Sequence, residues 1–122
     1  MKKLCFFLLF GLFFNVGFSQ ESNCERFKIG RFLYTSEGLP NITVTRTETI
    51  QTETIKESID EIQGTIVWKS SCDYEFTFSK CPMKELLGKT MSVEIFDVKG
   101  NMAKGKALFE GTNINFNLEK LN

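Results

Sequence analysis

The sequence contains no histidine. That removes the usual general base at neutral pH and the commonest metal ligand. It has two prolines and a single tryptophan, Trp68. It has no Gly-x-Ser-x-Gly, no phosphate-binding loop and no zinc-ligand spacing. There is no surplus of positive charge either: 15 Lys and Arg balance 15 Asp and Glu, with both signs interspersed. Nucleic-acid binding needs basic side chains to neutralise phosphates, so that class is not expected. A membrane-surface role fails on the same count. Carboxylates are plentiful, but none is singled out as an acid/base couple. Glu48, Glu53, Glu57 and Glu61 read as solvated strand and turn positions. No catalytic residue, metal site or cofactor is expected, and the chain is read as a non-enzyme.

What is present begins with the leader. Lys2 and Lys3 precede an apolar run, Leu4 to Phe14, and Gly17-Phe18-Ser19 supplies small residues before the chain turns polar at Gln20. This is the pattern of a cleaved secretory signal peptide over residues 1–19. Gly11, Asn15 and Gly17 interrupt the segment, which falls short of the ~20 apolar residues of a spanning helix. Cys5 comes too early for a lipobox, and Cys24 follows the polar Glu21-Ser22-Asn23. A secreted or periplasmic location follows, with no membrane span after cleavage. The remaining 103 residues, 20–122, carry 13 basic and 15 acidic side chains. They suffice for one domain with a modest core.

Through that domain, apolar and polar residues alternate with period two, the signature of half-buried strands. Cys72, Tyr74, Phe76 and Phe78 share one face. Met91, Val93 and Ile95 share another within Thr90 to Val98, and Ile114, Phe116 and Leu118 a third. Gly100-Asn101 predicts a tight hairpin into Met102 to Phe109. Glu37-Gly38-Leu39-Pro40 separates Phe27–Thr35 from Ile42–Thr49, and Gly111-Thr112-Asn113 introduces the last strand. Glu53 to Ile62 has two readings. Ile55, Ile59 and Ile62 fit one face of a helix. The same residues also fit two strands joined by a turn at Glu57–Asp60, which the flanking threonines and Gly64 to Trp68 favour. The sum is an all-β antiparallel meander of seven to eight strands, closed into a small barrel or curled into a half-barrel.

Three cysteines follow the leader: Cys24, Cys72 and Cys81. An extended strand from Cys72 places Cys81 roughly 30 Å away at about 3.3 Å per residue, too far for a bridge. Cys24–Cys72 is therefore the expected disulfide, with Cys24–Cys81 the alternative. It leaves Cys81 as a free thiol with no CxxC partner to lower its pKa.

Four features carry two readings each. Thr43, Thr45, Thr47 and Thr49, joined by Thr52 and Thr54, form either a polar outer face or a flat binding array. Arg46 shares a face with Ile42 and Val44. It either caps the barrel or pairs with Glu53, or it holds an anionic ligand inside. Trp68 fills the core or, with Phe76 and Phe78, lines a ligand cavity. Cys81 is incidental, or it is a redox or intermolecular partner.

Cys24-Glu25-Arg26-Phe27-Lys28-Ile29-Gly30-Arg31-Phe32 resembles a Cys-x-x-Phe-Lys-x-Gly-x-Phe opening. Ile42-Thr43-Val44-Thr45-Arg46, Gln51-Thr52-Glu53 and Val67-Trp68-Lys69-Ser70-Ser71-Cys72-Asp73-Tyr74 are similar to the later blocks of the same pattern. Together, over Cys24 to about Phe78, they resemble small exported proteins and lipoproteins of flavobacteria and relatives. Such chains are sometimes labelled topoisomerase IV. That label implies a far larger cytoplasmic DNA enzyme, which an exported chain without basic surplus contradicts. The resemblance implies an exported fold and no specific activity, and the missing lipobox departs from its lipoprotein members. The Gly30 to Tyr34 run ahead of a meander is also similar to the start of a lipocalin-type barrel, an analogy of fold that does not fix function. The expected function is a non-catalytic interaction or envelope-associated module, monomeric, with an unidentified protein or envelope partner. The alternative is a lipocalin-like binder of a small apolar molecule.

Overall fold

Alternation, aromatic content and β-branched residues resolve into eight strands in the computed structural model, which describes residues 24–55 and 60–122. These are β1 (Gly30–Thr35), β2 (Ile42–Arg46), β3 (Ile50–Ile55) and β4 (Glu61–Trp68), followed by β5 (Asp73–Lys80), β6 (Thr90–Lys99), β7 (Met102–Phe109) and β8 (Thr112–Lys120). Each pairs antiparallel with the next, and β8 returns to pair with β1, Tyr34 opposite Leu118, so the sheet closes into a barrel. Closure leaves none of the eight described strands at a free sheet edge that could recruit other chains. The expected leader lies outside the described residues, as does Ile59 of the ambiguous segment. Ile55 and Ile62, on either side of it, sit in β3 and β4. Among the described residues no helix is long and apolar enough to cross a membrane, and a single 3-10 turn, Lys84–Leu86, interrupts the β5–β6 connection.

The hairpins follow local chemistry. Gly100 adopts φ +61°, which its missing Cβ permits, between β6 and β7. Asp97 (φ +52°) lies where the β6–β7 register shifts between Phe96 and Lys99, a bulge that bends the strand. Two expected strands are shorter than their alternation suggests. Phe27 belongs to a turn in which its amide donates to the Cys24 carbonyl at 2.9 Å, ahead of β1. β2 ends at Arg46, because the Thr47 hydroxyl accepts the amides of Thr49 and Ile50 and forms the β2–β3 turn. Thr47 and Thr49 are thereby removed from the expected threonine face. The in-register pairs Thr43–Thr54 and Thr45–Thr52 remain on it.

The core is the barrel interior. Phe32, Val44, Ile66, Tyr74, Phe76, Val93, Ile95 and Leu118 are buried there. The inward face of β7 is Ala103, Gly105 and Ala107. Small residues are required at two inward positions. A Cβ on Gly105 would stand 2.3 Å from the Phe116 ring, and one on Gly64 would stand 2.5 Å from the Phe76 ring.

One end of the barrel is sealed. The Cys24–Cys72 disulfide, Cα atoms 5.3 Å apart, ties the segment ahead of β1 to the β4–β5 connection. This is the expected bridge, and Cys81 is free. The bridge presses Phe27, 0% exposed, into the barrel base, where its ring stacks on Phe32 at 5.9 Å. At the opposite end lie the β1–β2, β5–β6 and β7–β8 connections.

Candidate functional site

Strand alternation sends Tyr34, Arg46, Gln51, Glu53 and Tyr74 inward from β1, β2, β3 and β5, into an otherwise apolar interior. Polar groups in such a place must satisfy one another, since an unpaired one costs about 1–3 kcal/mol. Arg46, 1% exposed, is the hub. Its Nη2 donates to the Phe27 carbonyl at 2.7 Å and its Nε to the Lys28 carbonyl at 3.3 Å, which fastens the sealing turn. Its Nη1 reaches the Tyr34 hydroxyl (2.7 Å), the Gln51 Oε1 (2.6 Å) and the Tyr74 hydroxyl (3.2 Å). The guanidinium also lies over Phe32, 4.5 Å from the ring centre, and over Tyr74 at 5.1 Å. Its charge thus rests on neutral acceptors and ring faces.

Glu53 stands opposite Val44, and it is Gln51 that faces Arg46 in register. Gln51 accepts from Arg46 through Oε1 and donates from Nε2 to Glu53 Oε2 at 2.8 Å. The pairing of Arg46 with Glu53 weighed from the sequence is therefore relayed through an amide. Among the described residues, no direct Arg46–Glu53 ion pair forms. Tyr74 donates to Gln51 Oε1 at 2.9 Å and shares a 3.2 Å hydrogen bond with Tyr34.

Burial sets the electrostatics of this chain of groups. It pushes the Glu53 carboxyl above its ordinary value, and the Gln51 hydrogen bond and the field of Arg46 offset only part of that. Burial also drives the Tyr74 phenol well above its ordinary value, with the nearby Tyr34 adding to it. Tyr74 therefore stays a donor. For Arg46 burial works against the charge, but Tyr34, Tyr74 and Glu53 outweigh it and the pKa rises.

Above this polar floor the barrel is hollow. A cavity of about 260 Å³ has Tyr34, Gln51, Glu53 and Tyr74 at its base. Its walls include Ile42, Ile62, Phe78, Met91, Ala107 and Phe116. The mouth lies between the β1–β2 loop, with Leu39 and Pro40, and Leu86 of the 3-10 turn. Leu39 is 55% exposed at this rim. The interior is a cup, sealed at the disulfide end and open at the other.

The residues singled out from the sequence separate along the barrel axis. Phe78 is on the cavity wall. Phe76, fully buried, packs edge-on against Phe78 at 5.0 Å and fills the core instead. Trp68 sits at the sealed end, 4.7 Å from the Tyr74 ring and under the Lys28 ammonium. Arg46 lies beneath the floor, with all three guanidinium nitrogens engaged by the protein. Gln51 and the Tyr34–Tyr74 pair were not singled out from the sequence. The signal was available in part: Gln51 and Glu53 alternate with Ile55 on one face of β3, and a short hairpin after Arg46 brings that face against Ile42, Val44 and Arg46.

Among the described residues no cluster of His, Cys, Asp or Glu is arranged to hold a metal ion. Comparisons with known protein families and with curated proteins find no match.

Proposed function

We propose that this protein is a non-catalytic binder of a small, mainly apolar molecule, held in the open end of the barrel, and that it works outside the cytoplasm. The supporting observation is the one-ended cavity, about 260 Å³, with apolar walls over a hydrogen-bonding floor. Binding sites for small molecules combine these two features, an apolar enclosure and a few placed polar groups. An engineered cavity of about 150 Å³ accepts benzene, so this one suits a molecule of modest size. The disulfide fits an oxidising compartment, in line with the leader pattern and with the resemblance to exported flavobacterial proteins.

Native mass spectrometry of protein purified from its own host tests the reading, with an Ala107→Phe variant that fills the cavity as control. A small molecule that rides on the parent and is absent from the folded variant supports it. A bare monomer that captures a protein partner equally well in both forms returns the interaction-module reading. The exposed Leu39, Met83 and Leu87 favour that second reading.

A further inference from the structure

On the reading of the barrel as a cup, we infer that its ligand carries an ammonium group on a small apolar body, and that the Glu53 carboxylate receives it. The donors and acceptors at the floor are unequally used. Among the described residues Arg46 is the one buried cation, and it is spent downward and sideways. Arg46 gives Nη2 and Nε to the Phe27 and Lys28 carbonyls and Nη1 to Tyr34, Gln51 and Tyr74. It is not on the cavity surface. The Tyr74 hydroxyl donates to Gln51, and the Tyr34 and Tyr74 hydroxyls bond each other. A carboxylate or phosphate entering the cup therefore meets donors already engaged, together with a like charge.

Glu53 is the opposite case. It lines the cavity, and its Oε2 accepts a single hydrogen bond, from the neutral Gln51 amide. Among the described residues its Oε1 meets no donor and no cation within ion-pair distance. The carboxylate thus presents an acceptor oxygen and a charge to an apolar space, where a pairing interaction is strengthened by the low dielectric. An ammonium donates up to three N–H groups. The cavity's capacity, larger than the benzene-sized 150 Å³ case, matches an aromatic or aliphatic body of about ten non-hydrogen atoms.

Three probes on one skeleton test this: 2-phenylethylamine, 2-phenylethanol and phenylacetate. Each is titrated by isothermal calorimetry into the disulfide-intact protein and into Glu53→Gln, with circular dichroism confirming the fold. The expected result is at least tenfold tighter binding of the amine than of the alcohol or the acid. In Glu53→Gln the amine falls to the affinity of the alcohol, and the alcohol is unchanged. Should the variant not fold, the pH dependence of the parent replaces it. The groups facing Glu53 are Gln51 on its own strand, Arg46 from β2, Tyr34 from β1 and Tyr74 from β5, and β4 presents Ile62. The pKa values of Arg46 and Tyr74 are both raised, so these two groups keep their protons below about pH 8, and so does an aliphatic amine, which titrates near 10. Amine affinity should then fall as the pH drops through the Glu53 titration, while alcohol affinity stays level. If the acid or the alcohol binds as tightly as the amine, or the amine is indifferent both to Glu53→Gln and to pH, the ammonium assignment is wrong and the cup stands. If none of the three binds, the cup itself is refuted and the assignment with it.

Discussion

Replacing Arg46 with methionine removes the hub of the buried polar network. Methionine matches the length of the arginine stem but brings no donor. It strands the Phe27 carbonyl, which Arg46 reaches at 2.7 Å, and removes the cation whose field offsets the burial of Glu53. Removing a buried charge on which other buried groups depend, here Glu53 through the Gln51 relay rather than by a direct pair, costs up to roughly 3–5 kcal/mol. Hydrogen bonds to charged groups contribute about 1.5–3 kcal/mol each, so the multiple contacts of Arg46 place the loss near the top of that range. For a domain of about 100 residues, each kcal/mol moves the melting temperature by about 4–8 °C. A fall on the order of 15–30 °C follows. Urea unfolding monitored by the fluorescence of Trp68, 6.0 Å from the guanidinium, reads both the midpoint and the slope. Arg46→Lys should be nearly as damaging, because one ammonium cannot serve two backbone carbonyls, two phenols and an amide from a planar fork. The double variant Arg46→Met, Glu53→Gln should regain part of the loss, since it no longer buries an uncompensated carboxylate. An Arg46→Met protein within about 1 kcal/mol of the parent would falsify the account of the floor as a mutually dependent network.

Three further outcomes follow from the same structure. Converting Cys24 and Cys72 to alanine opens a crosslink spanning 48 residues, and should lower stability by about 2–4 kcal/mol and expose the Phe27 turn to hydrogen exchange first; unchanged protection at residues 24–28 would contradict the sealing role. Gly105→Ala places a methyl group 2.3 Å from the Phe116 ring, and should cost about 1–3 kcal/mol by overpacking, visible as a shifted Phe116 ring resonance by NMR. The raised Glu53 pKa means that the folded state binds its proton more tightly than the unfolded chain does. Glu53 therefore makes its stabilising contribution below the unfolded value of about 4.3, and that contribution is lost as the pH rises through the folded value. Melting curves of the parent and of Glu53→Gln between about pH 4 and pH 8 should diverge in that direction, and parallel curves would show that Glu53 is not coupled to folding.

Much of the barrel is written in the period-two alternation. Tyr74, Phe76 and Phe78 do share an inward face, Gly100-Asn101 does make the β6–β7 hairpin, and Arg46 does turn inward beside Val44. What alternation cannot encode is height. It assigns Trp68, Phe76 and Phe78 to the interior alike, yet one lies at the sealed end, one in the core and one on the cavity wall. Their depth depends on the stagger between neighbouring strands, a property of all eight at once. The β1–β8 pairing that turns a meander into a closed barrel joins residues 84 positions apart in the Tyr34–Leu118 pair, beyond the reach of local pattern. Gln51 was overlooked for a related reason: a neutral amide carries no alarm by itself, and only the register opposite Arg46 makes it a relay. Phe27 begins the first strand on paper, but it belongs to the turn that the Cys24 bridge holds across the base.

The inner face of β7 has a lasting effect on what this barrel can become. Ala103, Gly105 and Ala107 leave almost nothing on that wall to trim, and at Gly105 the Phe116 ring already occupies the vacated room. Substitution there can narrow the chamber but scarcely widen it. Any descendant of this chain that accommodates a bulkier guest must gain its space on other walls of the cavity, by shortening Ile62, Phe78 or Met91.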